Sequence, residues 1–191
     1  MLAIFKREIY TYFTTPIGYV FLAIFYLLSG YFFLALCLLY DTSDLTYVFA
    51  QLFTVIIFLV PILTMRLFSE DLRNKTDQLL LTSPISLFSL VMGKYLSALT
   101  VYTIGISCVF VYSGVIASFT PPAWPMIIGN FLGLFLLGAA LIAIGMFISS
   151  LTENQVIAAV AGFGIGLMLI LFDAIISIIP SNFIKKIFII C

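Results

Sequence analysis

The chain has 191 residues, of which 64% are hydrophobic and only 8% are charged, whereas soluble domains average about 25% charged residues. Eight basic residues balance eight acidic ones, so no basic field is available to attract nucleic acid. Three cysteines without paired or metal-ligand spacing, and the lack of histidine, argue against a disulfide scaffold, a zinc site and histidine-ligated haem. This composition predicts an all-α, polytopic membrane helical bundle that forms a single domain.

The first fifteen residues, 1–15, predict an amphipathic helix that lies in the membrane interface. Lys6, Arg7 and Glu8 lie on a different part of the helical wheel from the apolar positions. Pro16 is expected to end or bend this helix. It is either a simple membrane anchor or an elbow that transmits force into the first span. Its apolar positions recur at spacings of three and four: Leu2, Phe5, Ile9, Tyr12 and Phe13.

Long uncharged stretches mark the membrane spans, because a helix needs about 20 apolar residues to cross the hydrocarbon core. The prolines and Trp124 within residues 120–125 predict the point where one long uncharged stretch folds back. Six of the eight basic residues lie on one side if the N-terminus is cytoplasmic, which is the orientation that cytoplasmic retention of Lys and Arg favours. The predicted transmembrane helices are residues 17–40, 45–65, 95–118, 126–149 and 154–173.

The last residues, 180–191, contain Lys185 and Lys186 between apolar side chains. This pattern predicts an interfacial amphipathic segment that is too short to span the membrane. Under a cytoplasmic N-terminus it lies on the outer side, where its two lysines are unfavourable. We expect that the chain stops before a sixth helix; the alternative is a natural five-span protein.

The segment between Arg66 and Lys94 carries the densest group of charges in the chain. It predicts a short cytoplasmic helix over residues 69–82, with Ser69 as its cap and with Glu70 and Asp71 in its first turn. Thr82-Ser83-Pro84 is expected to end this helix, with Ser83 and Pro84 beginning the next one. The segment is either a solvated loop that satisfies topology or a docking element joined rigidly to two spans. Its apolar stripe is predicted as Leu72, Thr76, Leu79 and Leu80, with Arg73, Asn74, Lys75 and Asp77 facing away.

Here the sequence resembles a known family. The run from Arg66 to Arg73, followed by Thr76, residues 79–81 and Thr82-Ser83-Pro84, is similar to the signature of ABC-2 type permeases, the membrane subunits of ATP-binding-cassette exporters. Residues 5–8, 12–20 and 145–155 also resemble this family, and most closely its gliding-motility-associated branch. The usual permease of the family has six spans, whereas this sequence shows five.

The resemblance implies roles for three groups of residues. A coupling helix that contacts a nucleotide-binding ATPase subunit would use Glu70, Asp71, Arg73, Lys75, Thr76, Leu79 and Leu80. A connecting helix beside it would contain Phe5, Lys6, Arg7 and Glu8, and a lesser cytoplasmic contact would contain Ser150, Thr152, Glu153 and Asn154. The implied partners are that ATPase, which holds ATP and Mg, and a second permease copy or homologue. The implied location is the bacterial cytoplasmic (inner) membrane.

The sequence contains no phosphate-binding loop and no pair of mid-span acids, so any ATPase is expected to be a separate chain and no enzyme activity is predicted. No ionisable residue is predicted at mid-membrane, which favours an amphipathic or apolar substrate over a small ion. Thr54, Thr100, Thr103 and Ser107 are candidates for a translocation path; alternatively, such hydroxyls bond to their own helix backbones. The glycine pairs 129/133 and 162/166 predict close packing within the bundle or, alternatively, a dimer seam.

The leading hypothesis is therefore a permease subunit of an ATP-driven exporter that works by alternating access. The alternative is a membrane-embedded scaffold or assembly factor that recruits a soluble partner without transport. A channel is a third possibility, which conductance without ATP would reveal.

Overall fold

The computed structural model describes residues 2–38, 45–75, 86–118 and 123–178, with side chains at all of these except 38 and 173–178. These residues contain no strand. Their helices are α1 (Leu2–Thr14), α2 (Pro16–Phe33, continued by the π-helical Leu34–Leu38), α3 (Thr46–Thr64), α4 (Ser69–Asn74), α5 (Leu87–Ile106), α6 (Cys108–Ala117), α7 (Trp124–Ser150) and α8 (Gln155–Ile178).

Five segments of the described residues are long and apolar enough to cross a membrane. The prediction of an all-α polytopic bundle is therefore confirmed. The segments are Pro16–Cys37, Thr46–Asn74, Leu87–Ala117, Trp124–Ser150 and Gln155–Phe172.

Helix α1 packs along α5 and forms a sharp elbow with α2. Ile4, Glu8 and Tyr12 form its buried face, and Ile4 lies where a side chain on Gly93 of α5 would otherwise sit. Burial of Glu8 corrects the predicted helical wheel, on which the carboxylate was grouped with the outward charges. Pro16 begins α2 as predicted, and a Cβ on Gly18 would collide with the backbone carbonyl of Tyr12. The elbow therefore requires glycine at position 18.

Helix α3 occupies the centre of the bundle and packs against α2, α7 and α8. Side chains on Gly162 and Gly166 of α8 would collide with Pro61 and Ile57 of α3. This glycine pair therefore serves packing within the bundle, which is one of its two predicted roles. Gly129 of the other pair faces open space.

The third span is predicted over residues 95–118, within a longer helix that begins at Ser83 and Pro84. Helix α5 begins at Leu87, with Ser86 accepting a hydrogen bond from the Ser89 N–H at 3.3 Å. The predicted cap and first residue, Ser83 and Pro84, lie outside the described residues. The helix is also interrupted at Ser107, where α5 gives way to α6.

The last two helices also extend beyond their predictions. Helix α7 begins at Trp124 with Pro125 in its first turn, and α8 continues to Ile178, beyond the predicted end at 173. The predicted interfacial segment 180–191 lies outside the described residues.

Candidate functional site

The turn of residues 65–68 joins α3 to α4 and is bonded to several other helices. The end of a helix leaves backbone carbonyls without intrahelical partners. Here the Leu63 carbonyl accepts from the Tyr12 hydroxyl of α1 at 3.1 Å, and the Met65 carbonyl accepts from the Ser149 hydroxyl of α7 at 3.1 Å. The Leu67 carbonyl accepts from the Lys94 ammonium of α5. Three separate helices are thus bonded to this turn or to the last residues of α3 before it.

Lys94 is the centre of a buried ion cluster. Its Nζ lies 2.6 Å from Asp71 Oδ2 and 3.3 Å from Glu8 Oε1, and only 2% of the residue is exposed. The ammonium group also donates a hydrogen bond to the Leu67 carbonyl. The ring of Phe68 lies 5.2 Å from Nζ, within cation–π range. Because two carboxylates and a carbonyl oxygen lie around the ammonium group, the buried charge is compensated and α1, α4 and α5 are held together.

Arg66 provides a second connection between the turn and the elbow. Its Nη1 donates to the Thr15 hydroxyl at 2.7 Å, and its Nη2 forms an ion pair with Glu70 Oε2 at 2.8 Å. Thr15 is the residue between α1 and α2. The guanidinium therefore ties the elbow to the first turn of α4.

The phenol of Tyr12 acts only as a donor in this arrangement. Burial, together with the nearby Glu8 carboxylate, raises the pKa of Tyr12 well above its usual value. The hydroxyl therefore stays protonated and keeps its hydrogen bond to the Leu63 carbonyl.

The cap of α4 comes from another helix, contrary to the prediction that Ser69 caps it. The hydroxyl of Ser69 donates back to the Met65 carbonyl. The free N–H groups of Phe68 and Ser69 instead donate to the Ser149 hydroxyl oxygen of α7, at 3.0 Å and 3.1 Å. Ser149 therefore joins the end of α7 to the start of α4.

Replacing Ser149 with alanine is expected to destabilise the fold by about 1–3 kcal/mol, because buried donors lose their acceptor. The midpoint of thermal unfolding in detergent measures this effect. Ser150→Ala is the matched control, since the Ser150 hydroxyl is exposed and donates to the Phe147 carbonyl of its own helix. Equal unfolding midpoints for the two variants would mean that the Ser149 hydroxyl does not stabilise the fold.

A cavity of about 150 Å³ lies beside this cluster, which is enough for about five water molecules at liquid density. Its charged lining is balanced, with three cations and three carboxylates. The equal number of opposite charges lowers the cost of keeping six charges together. The charged residues are Arg7, Glu8, Arg66, Glu70, Asp71 and Lys94, and Thr11, Tyr12, Leu67 and Asn74 complete the wall.

The predicted coupling residues divide into two groups. Glu70 and Asp71 form ion pairs with Arg66 and Lys94, whereas Arg73 and Lys75 are exposed. The helix predicted over 69–82 ends at Asn74, because Lys75 adopts a left-handed backbone conformation with φ of 54°. Thr76, Leu79 and Leu80 lie outside the described residues.

The other two predicted contact groups also separate by exposure. In the connecting helix Lys6 and Arg7 are exposed, Phe5 is half-buried and Glu8 is buried. The loop between α7 and α8 is a compact turn in which Asn154 accepts a hydrogen bond from the Val156 N–H at 2.9 Å. Its own N–H donates to the Thr152 hydroxyl at 3.1 Å, and Ser150, Glu153 and Asn154 are exposed.

The candidate path residues use their hydroxyls locally. Thr100, Thr103 and Ser107 donate at 2.7 Å to carbonyls of their own helix, those of Leu96, Leu99 and Ile104. Thr54 is exposed on α3. These bonds favour the alternative that the hydroxyls serve their own backbones.

Sequence reasoning did not identify Lys94, Arg66, Thr15 or Ser149 as site residues. Their hydrogen bonds of longest range join them to partners 51 to 86 positions away in the sequence, so no local pattern reveals them. The one available signal was a lysine inside an otherwise apolar stretch, because a charge in such a position is usually paired. No group of metal-ligating side chains occurs among the residues that the structure describes.

Comparison with known proteins gives one match. Residues 38–190 match the model of the family described as ABC-2 family transporter proteins. No curated protein and no solved structure matches the chain. The match does not support the gliding-motility-associated branch. The match covers more than half of the sequence, and five helices among the described residues are long and apolar enough to cross a membrane. The chain is therefore a multi-pass membrane protein that belongs to the ABC-2 family of transporter proteins.

Proposed function

We propose that this permease component of an ABC transporter is the membrane half of an ATP-driven exporter, with α4 and the residues after it as the coupling helix. Separate ATPase subunits would bind ATP and Mg, and a second permease copy or homologue would complete the transporter. Its location would be the bacterial cytoplasmic membrane, with the N-terminus inside. Family membership implies association with an ATP-binding subunit; the coupling route and the direction of transport are our proposals.

The bonding of the turn 65–68 is the observation that carries this proposal. The turn leads directly into α4, whose last residues Arg73 and Asn74 are exposed. Lys94 and Ser149 bond it to α5 and α7, and Tyr12 bonds the end of α3 just before it to α1. A push on α4 would therefore move the ends of four helices together, rather than bend a loop.

Alternating access would follow from this linkage. Closure of the ATPase subunits on ATP would displace α4, and the ion cluster around Lys94 would pass the displacement to the elbow and to the third span. The loop with Glu153 and Asn154 would provide a lesser contact. The substrate path would lie between the two permease copies.

Site-specific crosslinking tests the docking position. In a variant with Cys37, Cys108 and Cys191 replaced by alanine, Asn74→Cys is expected to crosslink to an ATPase subunit that is purified together with this chain. Leu136→Cys is the matched control, because Leu136 is 66% exposed on the middle of α7 and would face lipid. Crosslinking at both positions or at neither would contradict the proposed contact.

The rate of ATP hydrolysis separates a permease from a scaffold. In lipid nanodiscs the complex is expected to hydrolyse ATP at a rate several-fold different from the isolated ATPase, since the subunits would be mechanically coupled. A stable complex whose hydrolysis rate equals that of the isolated ATPase would instead indicate a scaffold. Failure of any ATPase to bind would reject the proposed function.

A further inference from the structure

The charges at this end of the bundle are sorted by sign. Three carboxylates, of Glu8, Glu70 and Asp71, each lie within 3.3 Å of a basic nitrogen of the chain. Their side chains are 12%, 38% and 19% exposed, respectively. The acids near α4 are therefore committed to contacts inside the protein.

The bases that remain outside carry no such partner. Within the described ranges, Lys6, Arg73 and Lys75 are exposed and form no ion pair. Arg73 and Lys75 flank Asn74 at the end of α4, and Lys6 precedes Arg7 in α1; Arg7 and Asn74 line the same cavity. We call Lys6, Arg73 and Lys75 the basic face.

The segment that follows does not reverse this sign. Between Arg73 and Lys94 the sequence carries one acid, Asp77, against the two bases Arg73 and Lys75. Residues 73–93 therefore carry a net formal charge of +1 with Asp77 counted, whereas Glu70 and Asp71, earlier in the coupling segment, are paired with Arg66 and Lys94. Arg73 also lies in the last turn of α4, where a positive charge interacts favourably with the negative end of the helix dipole. This effect does not explain why Lys75 is exposed.

From this sorting we propose that the basic face docks an acidic groove on the ATPase subunit. The proposal rests on the proposed function and specifies its partner surface: carboxylates of the ATPase would pair with Arg73, Lys75 and Lys6. Complementary charge of this kind steers encounter and excludes wrong partners. The internal acids hold α4 in place, and the external bases select the subunit that binds it.

Association kinetics test the proposal, with the full chain in nanodiscs of zwitterionic lipid and the purified ATPase subunit. The double reversal Arg73→Glu, Lys75→Glu is expected to lower the association rate constant by about tenfold or more. Raising the salt concentration from 50 to 500 mM is expected to slow wild-type association and to affect the reversed variant much less, since exposed charges are screened.

The matched control keeps the charges and changes the shapes. Arg73→Lys with Lys75→Arg is expected to associate within about twofold of wild type. If this swap is as damaging as the reversal, shape rather than charge governs docking and the proposal is wrong. An association rate that neither salt nor reversal alters also overturns it, while leaving the proposed function intact.

Two further arms complete the experiment. Substituting lysine for carboxylates in the groove of the ATPase is expected to restore binding of the reversed variant by at least severalfold. An effect of reversal that occurs with anionic lipid but vanishes in zwitterionic nanodiscs would show that these bases contact lipid headgroups instead, and would overturn the proposal. If the wild-type chain binds no ATPase, the proposed function fails and this inference fails with it.

Discussion

Replacing Lys94 with methionine is expected to lower the free energy of unfolding by about 3–5 kcal/mol, the usual cost of removing one partner from a buried ion pair. Methionine fills a similar volume, so loss of charge rather than loss of packing dominates. The variant leaves the Glu8 and Asp71 carboxylates without their shared cation and the Leu67 carbonyl without its donor. Thermal or denaturant unfolding in one detergent measures the change.

Two companion variants isolate the cause. Lys6→Met removes an exposed lysine from α1, and such a change should alter stability by no more than about 0.5 kcal/mol. Combining Lys94→Met with Glu8→Gln and Asp71→Asn removes all three charges, and this triple variant should recover much of the lost stability. The explanation fails if Lys94→Met behaves like Lys6→Met, or if the triple variant is no more stable than Lys94→Met alone.

The same variants separate stability from coupling. The neutral triple variant keeps the fold but no longer fastens α1 and α4 to α5 by charge. Under the proposed function, it should still bind the ATPase, because Arg73 and Lys75 are unchanged, while ATP hydrolysis responds less to the membrane subunit. Lys94 would thus act as a positioning residue between docking and the membrane spans.

The spans could be predicted because they depend on local composition, whereas the site depends on distant partners. An uncharged stretch of about 20 residues is sufficient evidence for a membrane helix. The same rule placed Lys94 at a boundary, since it treats any charge as exposed to water. In the structure Lys94 is buried in α5, with two carboxylates and the Leu67 carbonyl around its ammonium group.

The α4 region shows the same limit. Ser69 has the residue type of a cap, but its hydroxyl is used by Met65, and the capping oxygen belongs to Ser149, 80 residues further along the chain. A left-handed residue at the end of a helix is usually glycine or asparagine, so nothing in the type of Lys75 predicted the end of α4. Local patterns thus identified where α4 begins, but neither the residue that caps it nor the residue at which it ends.

Introducing a methyl group at Gly138 is expected to destabilise the bundle by about 1–3 kcal/mol, the usual effect of overpacking a filled core. A Cβ on this residue of α7 would overlap the ring of Tyr102 on α5. Tyr102 is fully buried, and its hydroxyl donates to the Leu134 carbonyl at 2.6 Å. Because the ring is fixed at both ends, α5 and α7 must separate to admit the methyl group.

Gly129→Ala provides a control on the same helix, since nothing lies within 4 Å of its added Cβ. Alanine favours a helix over glycine by up to about 1 kcal/mol, so this variant should be as stable as wild type or more stable, and the two substitutions should have opposite signs. A double-mutant cycle with Tyr102→Leu tests the contact itself. With the ring removed, Gly138→Ala should cost little; an undiminished cost would place the strain elsewhere and contradict close packing of α5 against α7.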